Sequence, residues 1–106
     1  MTSELKNAIK SIVRTANPDR IILFGCRARG FAKADSDYDL LVLKGRIADK
    51  RELGRKIYMN LDSIGAPIDL IVEELSVYER NSLIPYKIYC EIAGSGKVVY
   101  EKHTEA

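Results

Sequence analysis

The run Asp37-Tyr38-Asp39-Leu40-Leu41-Val42-Leu43 restricts the fold more than any other stretch of this chain. Consecutive apolar residues without polar alternation read as a strand buried on both faces, so the sheet must be covered above and below. Yet two carboxylates lead into it. Side chains alternate along a strand, which sends Asp37 and Asp39 to one side, about 7 Å apart by the rise per residue. Leu40 and Val42 are expected to continue that face, with Leu41 and Leu43 filling the other. Like charges beside an apolar sheet repel, and each loses hydration. A divalent cation compensates well, since hard carboxylate oxygens suit magnesium or manganese. The plainer alternative is that aspartates before strands are turn residues or edge charges, with Ser36-Asp37 forming an Asx-type turn.

The rest of the chain supplies the covering layers. Leu5, Ala8, Ile9, Ile12, Val13 and Ala16 follow the i, i+3, i+4 rule, Ser3 can cap the start, and Pro18 forbids extension. Ile21-Ile22-Leu23-Phe24 reads as a buried strand closed by a glycine. Leu53, Ile57, Tyr58, Leu61 and Ile64 form a second helical stripe, with Asp49 as cap and Gly65 as stop. Pro67 to Val72 is a third strand, its proline fitting a first or edge position. Ile84, Ile88 and Ile92 suggest a third long helix between Ser82 and Gly94, and Lys97 to Tyr100 a short last strand. The tail Glu101 to Ala106 is polar and expected to fray. The fold class is therefore α/β or α+β: a small mixed sheet of three or four strands covered by about three main helices. Tyr78, Tyr86 and Tyr89 lie on or near the third helix, where such tyrosines mostly pack.

A chain of 106 residues predicts one domain, 1–106, with a core that needs no staples. Seventeen basic residues against fifteen acidic ones leave a net charge of +2, so neither a nucleic-acid coat nor an acidic tail is expected. Cys26 and Cys90 show no zinc spacing. Without a secretory leader or a membrane-length apolar run, the chain reads as cytoplasmic with reduced thiols, a Cys26–Cys90 disulfide being the alternative. His103, the single histidine, sits in the tail and is expected to be inert.

The segment before the aspartates, Gly25-Cys26-Arg27-Ala28-Arg29-Gly30, has a different chemistry. A glycine closing a strand lets backbone N–H groups turn toward a ligand without a clashing Cβ. Such concave backbone sites accept phosphate oxygens, and a short helix starting near Cys26 would favour them further. Arg27 and Arg29 can add charge-assisted bonds. The segment is neither a Walker loop nor GxGxxG, and taken alone it reads equally well as a solvated basic turn. Asp69 repeats the acidic motif by entering Ile68 to Val72. If that strand lies beside Tyr38 to Leu43, three carboxylates converge, and one can share a metal or take a proton from a nucleophile. Loop and aspartates together would organise a metal-bound triphosphate.

Gly25-Cys26, ten residues, then Asp37-Tyr38-Asp39 resembles the glycine-serine, ten residues, DxD signature of the DNA polymerase β-like nucleotidyltransferase superfamily. The run GCRARG…SDYDLLV, with PIDLIV and GSGKVVYE, is similar to its minimal nucleotidyltransferase branch over nearly the whole chain. The resemblance implies that Gly25 and position 26 contact the β- and γ-phosphates. It implies that Asp37 and Asp39 bind two magnesium ions (or manganese), and that Asp69 completes the triad and helps activate the attacking hydroxyl. Arg29 and Gly30 match the family's ARG segment. ATP would be the substrate. One departure stands out: Cys26 occupies a position usually held by serine, and a thiol is a weaker hydrogen-bond donor than a hydroxyl. Activity is expected to be lowered by it, not abolished.

The resemblance also implies a partner. Many members of this branch resemble the antitoxin half of a two-protein module whose other half is a HEPN-type ribonuclease toxin. There the enzyme moves AMP from ATP onto a toxin tyrosine. Two other readings stand beside it: a non-catalytic antitoxin that neutralises its partner by direct contact, and a nucleotidyltransferase acting on a small hydroxylated molecule. No direct nucleic-acid partner is expected.

Overall fold

A computed structural model describes residues 1–30, 37–61 and 63–103. In chain order the elements are α1 (Ser3–Ala16), β1 (Arg20–Phe24), α2 (Cys26–Arg29), β2 (Tyr38–Lys44), α3 (Lys50–Met59), β3 (Ile68–Glu74), α4 (Leu75–Asn81), α5 (Ile88–Ser95) and β4 (Lys97–Glu101). The strands form one mixed sheet in the order β3-β2-β1-β4. β1 runs antiparallel to both β2 and β4, while β2 and β3 are parallel and joined through α3. A parallel pair needs such a crossover, whereas the antiparallel pairs do not.

Each helix forms where its sequence offers both a start and an apolar stripe. Thr2, not the expected Ser3, caps α1: its side chain accepts the Leu5 N–H, and Ser3 already lies in the first turn. Asn17 ends α1 in the left-handed conformation, its N–H on the Val13 carbonyl. Asp49 caps α3 through the Glu52 N–H, as expected. That helix ends at Met59, short of Gly65. The chain then tightens into i, i+3 turns, with the Leu61 N–H on Tyr58 and the Ile64 N–H on Leu61. Both side chains therefore still reach the core despite lying outside the helix.

The third long helix is the largest correction. In its place stand two shorter ones, α4 and α5, with 82–87 between them. Pro85 has no N–H to give and disfavours helical geometry in the residue before it, and Tyr86 adopts φ +68. Ile84 lies in no helix, and of the three isoleucines only Ile92 is buried.

Two apolar layers sandwich the sheet. Leu5, Ala8, Ile9 and Ile12 of α1 and Ile57 of α3 pack on Ile21, Leu23, Tyr38, Leu40 and Val42. Tyr78 of α4 and Ile92 of α5 pack on Ile22, Leu41 and Leu43. The facial assignment expected for β2 is thereby reversed. With a period of two, Asp39 shares its side with Leu41 and Leu43, under α4 and α5, while Leu40 and Val42 face α1 and α3. No helix among the described residues is long and apolar enough to cross a membrane.

Candidate active site

β1 ends at Phe24, which pairs with Asp39 of β2, and Asp39 pairs in turn with Asp69 of β3. The two aspartates are thus neighbours on adjacent strands, both on the α4/α5 side. Asp39 is half-buried, while Asp69, on the edge strand, and Asp37, one residue before β2, are exposed.

Gly25 closes the arrangement. Its φ of +75 and ψ of −156 suit glycine alone. A Cβ at this position would overlap the Asp39 carboxylate, so that carboxylate packs directly against the Gly25 backbone. From there the chain turns into α2, with the Ala28 and Arg29 N–H groups on the Gly25 carbonyl. Gly30 ends it at φ +80 with its own N–H on the Cys26 carbonyl. Two glycines in the left-handed half of backbone space therefore delimit one basic turn, as their spacing suggested.

The electrostatics follow from the geometry. Burial raises the Asp39 pKa above its ordinary 3.8, and the Asp69 charge, the Asp37 charge and a hydrogen bond with Asp69 push the same way. Among the described residues neither Asp39 nor Asp69 has a salt bridge to relieve this. Nor is any group of three His, Cys, Asp or Glu among them arranged to hold a metal ion as it stands. The donor set nevertheless fits a hard divalent cation: Asp39 and Asp69 bring crowded carboxylate oxygens, and the Asp39 carboxylate is seated on bare glycine backbone.

The remaining predicted site residues divide. Cys26, the first residue of α2, and Arg29 are exposed. Both cysteines are free, so no disulfide joins them. Arg27 places its guanidinium 3.8 Å from the centre of the Tyr38 ring. Ser36 of the suggested Asx turn lies outside the described residues. A cavity of about 420 Å³ opens on the α1 side, lined by Leu5, Leu23, Arg27, Tyr38 and Val99 among others, and the three aspartates do not line it. Asp37 and Asp69 are exposed instead, and Asp39 is half-buried against Gly25.

Sequence reasoning passed over Glu73. It shares its strand face with Asp69, and it is only 7% exposed. Its carboxylate accepts from Lys50 Nζ at 3.1 Å, from the Tyr89 hydroxyl at 2.9 Å and from the Glu74 N–H at 2.9 Å. The alternation Asp69, Ile71, Glu73 carried the signal.

The chain matches the family described as "Polymerase beta, Nucleotidyltransferase" over residues 7–105. It belongs to that family. The mixed sheet is the polymerase β-like nucleotidyltransferase fold, and membership supports transferase activity in general terms. No curated protein matches the chain. Among solved structures, it is similar to a toxin-antitoxin crystallised with AMP-PNP, at 24% identity and a TM-score of 0.57, over 95% of this chain and 75% of that one. A putative nucleotidyltransferase from Sulfolobus solfataricus matches at 16% identity and TM-score 0.57, over 96% and 90%. A mutant of the toxin-antitoxin MntA-HpeT matches at 20% identity and TM-score 0.51, over 95% and 75%. Likeness at these identities establishes the shared fold.

Proposed function

We propose that this nucleotidyltransferase moves AMP from ATP onto a tyrosine hydroxyl of a partner HEPN-type ribonuclease toxin, and so acts as its antitoxin. The observation that supports this most is the register pair Asp39–Asp69 beneath Gly25. It puts acidic oxygens from two strands beside a glycine-bounded turn rich in backbone donors and arginine. In this reading the backbone of Gly25 and Cys26 receives the β- and γ-phosphates, with Arg29 and Gly30 alongside. Asp37, Asp39 and Asp69 would hold magnesium, or manganese, which supplies charge neutralisation at the entering and leaving oxygens. The acceptor oxygen attacks the α-phosphorus. The bond from that phosphorus to the oxygen bridging it to the β-phosphate breaks, and pyrophosphate departs with that oxygen. Asp69, exposed on the edge strand, takes the hydroxyl proton.

Two further facts favour a protein acceptor. Asp69 on the edge strand and Asp37 before β2 are both exposed, where a bulky substrate can approach. Two of the similar structures are described as toxin-antitoxin assemblies, one of them with an ATP analogue. The test mixes the purified chain, labelled ATP, magnesium and the candidate toxin. Label on a toxin tyrosine, pyrophosphate release and loss of both in Asp37→Ala are expected. Toxin neutralised equally well by Asp37→Ala would mean an antitoxin that works by contact alone. No labelling beside an active related enzyme would count against transfer altogether.

A further inference from the structure

Arg27 stands in the middle of the basic turn, yet its guanidinium lies over an aromatic ring. That ring belongs to Tyr38, the residue between Asp37 and Asp39. Alternation sends Tyr38 to the opposite side of the sheet from Asp39, into the α1 layer, where it is 2% exposed. Its hydroxyl is 2.7 Å from Thr2 Oγ1 and donates to Glu4 Oε2 at 3.3 Å. Thr2 is itself the cap of α1. The ring is therefore held at its polar end by the first turn of α1 and covered on one face by Arg27.

We propose that Arg27 and Tyr38 are positioning residues, whose stack braces the Gly25–Gly30 turn against the strand that bears Asp37 and Asp39. A guanidinium over a ring face is attracted by the ring's quadrupole, more strongly when the ring is out of water. The turn is short: α2 has four residues, and both bounding glycines lack side chains. Ala28 is its buried residue, so Arg27 adds a second, longer tether. The carboxylate of Asp39 packs on Gly25, so a turn that drifts from β2 also moves its backbone donors away from that carboxylate. Alternation within Asp37-Tyr38-Asp39 thus does two things at once. It turns acids to one face and an anchor for the turn to the other. The consequence for ATP rests on the nucleotidyltransferase reading; the brace itself does not.

The test uses the full chain carrying Arg27→Gln, Tyr38→Leu, Tyr38→Phe or the Arg27→Gln/Tyr38→Leu pair. The first readout is hydrogen exchange of the Ala28 and Arg29 amides, which are bonded to the Gly25 carbonyl, with Leu41 in the central strand as the global reference. The second is the dissociation constant of magnesium-ATP. Arg27→Gln and Tyr38→Leu should each speed exchange at both turn amides about 3- to 10-fold, leave Leu41 unchanged, and weaken ATP by a similar factor. The double variant should do no more than either single one. Tyr38→Phe keeps the ring and should stay within about two-fold of the parent. If Arg27→Gln weakens ATP binding while turn exchange is unchanged, or if the two substitutions multiply, Arg27 meets phosphate directly and the brace is overturned. Should Tyr38→Leu also speed exchange at Leu41, Arg27→Gln decides alone. Turn exchange that responds as expected in a protein that binds no ATP upholds the brace and removes the nucleotidyltransferase reading.

Discussion

Asp69 is the direct register partner of Asp39 across the parallel pair β3–β2, and its charge is among the causes that raise the Asp39 pKa after burial. Parallel pairing makes this juxtaposition obligatory, because a slip of one residue would send Asp69 to the α1/α3 side of the sheet. A fold that sets like charges side by side, half out of water, keeps a local destabilisation that a bound cation would remove.

Removing one of those charges should therefore stabilise the metal-free protein. Ionised Asp39 is less favourable in the folded chain than in the unfolded one, since burial and its acidic neighbours raise its pKa. The cost is full above the folded pKa, shrinks as the pH falls through it, and is gone below the ordinary value of 3.8. Asp39→Asn should accordingly unfold at higher denaturant than the parent at pH 7, and the two should converge under acid. Magnesium should reverse the order. At a hundred times its dissociation constant it adds about 2.7 kcal/mol to a protein that binds it, and Asp39→Asn should gain little. Urea titrations with and without magnesium at several pH values decide this.

Gly25→Ala should damage both fold and site. The backbone conformation disfavours any side chain, and the new methyl would collide with the Asp39 carboxylate. A loss of about 1–3 kcal/mol is expected from backbone strain alone. Under the proposed function transfer should fall further than stability, because the displaced Asp39 carboxylate would be one that holds the metal. Gly65→Ala is the control: its φ is also positive, but its Cβ would meet nothing within 4 Å, and it takes no part in the proposed site. It should lose stability without a comparable loss in metal or nucleotide binding.

Much of this was legible beforehand, and the failures have physical causes. Strong periodicity located α1, periodicity with the Asp49 cap located the start of α3, and short apolar runs located all four strands. The convergence of Asp39 and Asp69 followed from strand adjacency, which two aspartates leading into separate apolar runs only suggested. The helix pair α4–α5 was misread because isoleucines spaced by four looked like a buried stripe. Spacing alone cannot tell that Ile84 and Ile88 are more than 40% exposed. Pro85 was the available warning. The Arg27–Tyr38 stack and the Glu73 network depend on which elements cross overhead, and no local pattern encodes that.

Cys26→Ser should improve the site if the position works as the family pattern implies. Cys26 opens α2 beside Gly25 and is exposed. A hydroxyl donates a stronger hydrogen bond than a thiol, and one such bond is worth on the order of 1 kcal/mol, or roughly five-fold in affinity. Calorimetric titration with magnesium-ATP should show tighter binding, with turnover rising alongside. Equal affinity in the two proteins would assign the contact to backbone alone.

The last prediction concerns Glu73, which ties α3 and α5 to the edge strand. Burial works against its charge, but the Glu74 N–H, the Lys50 ammonium and the Tyr89 hydroxyl outweigh it, and the net result is a pKa below the usual 4.5. A depressed carboxylate stabilises the fold above its unfolded value and loses that contribution as the pH falls through the folded one. Tyr89 is pushed up to about 12, by burial first and then by the bond to Glu73, so it stays a donor throughout the ordinary pH range. Tyr89→Phe preserves the edge-on contact with Tyr78, whose ring centre lies 5.6 Å away, and removes only the hydroxyl. It should cost about 1.5–3 kcal/mol at pH 7, as for a hydrogen bond to a charged group. The gap between the two proteins should narrow once the pH drops below 4.5 and Glu73 takes up its proton. Thermal unfolding followed from pH 7 to pH 3 reads both effects, and a gap that is constant across that range would show that the hydroxyl does not act through the Glu73 charge.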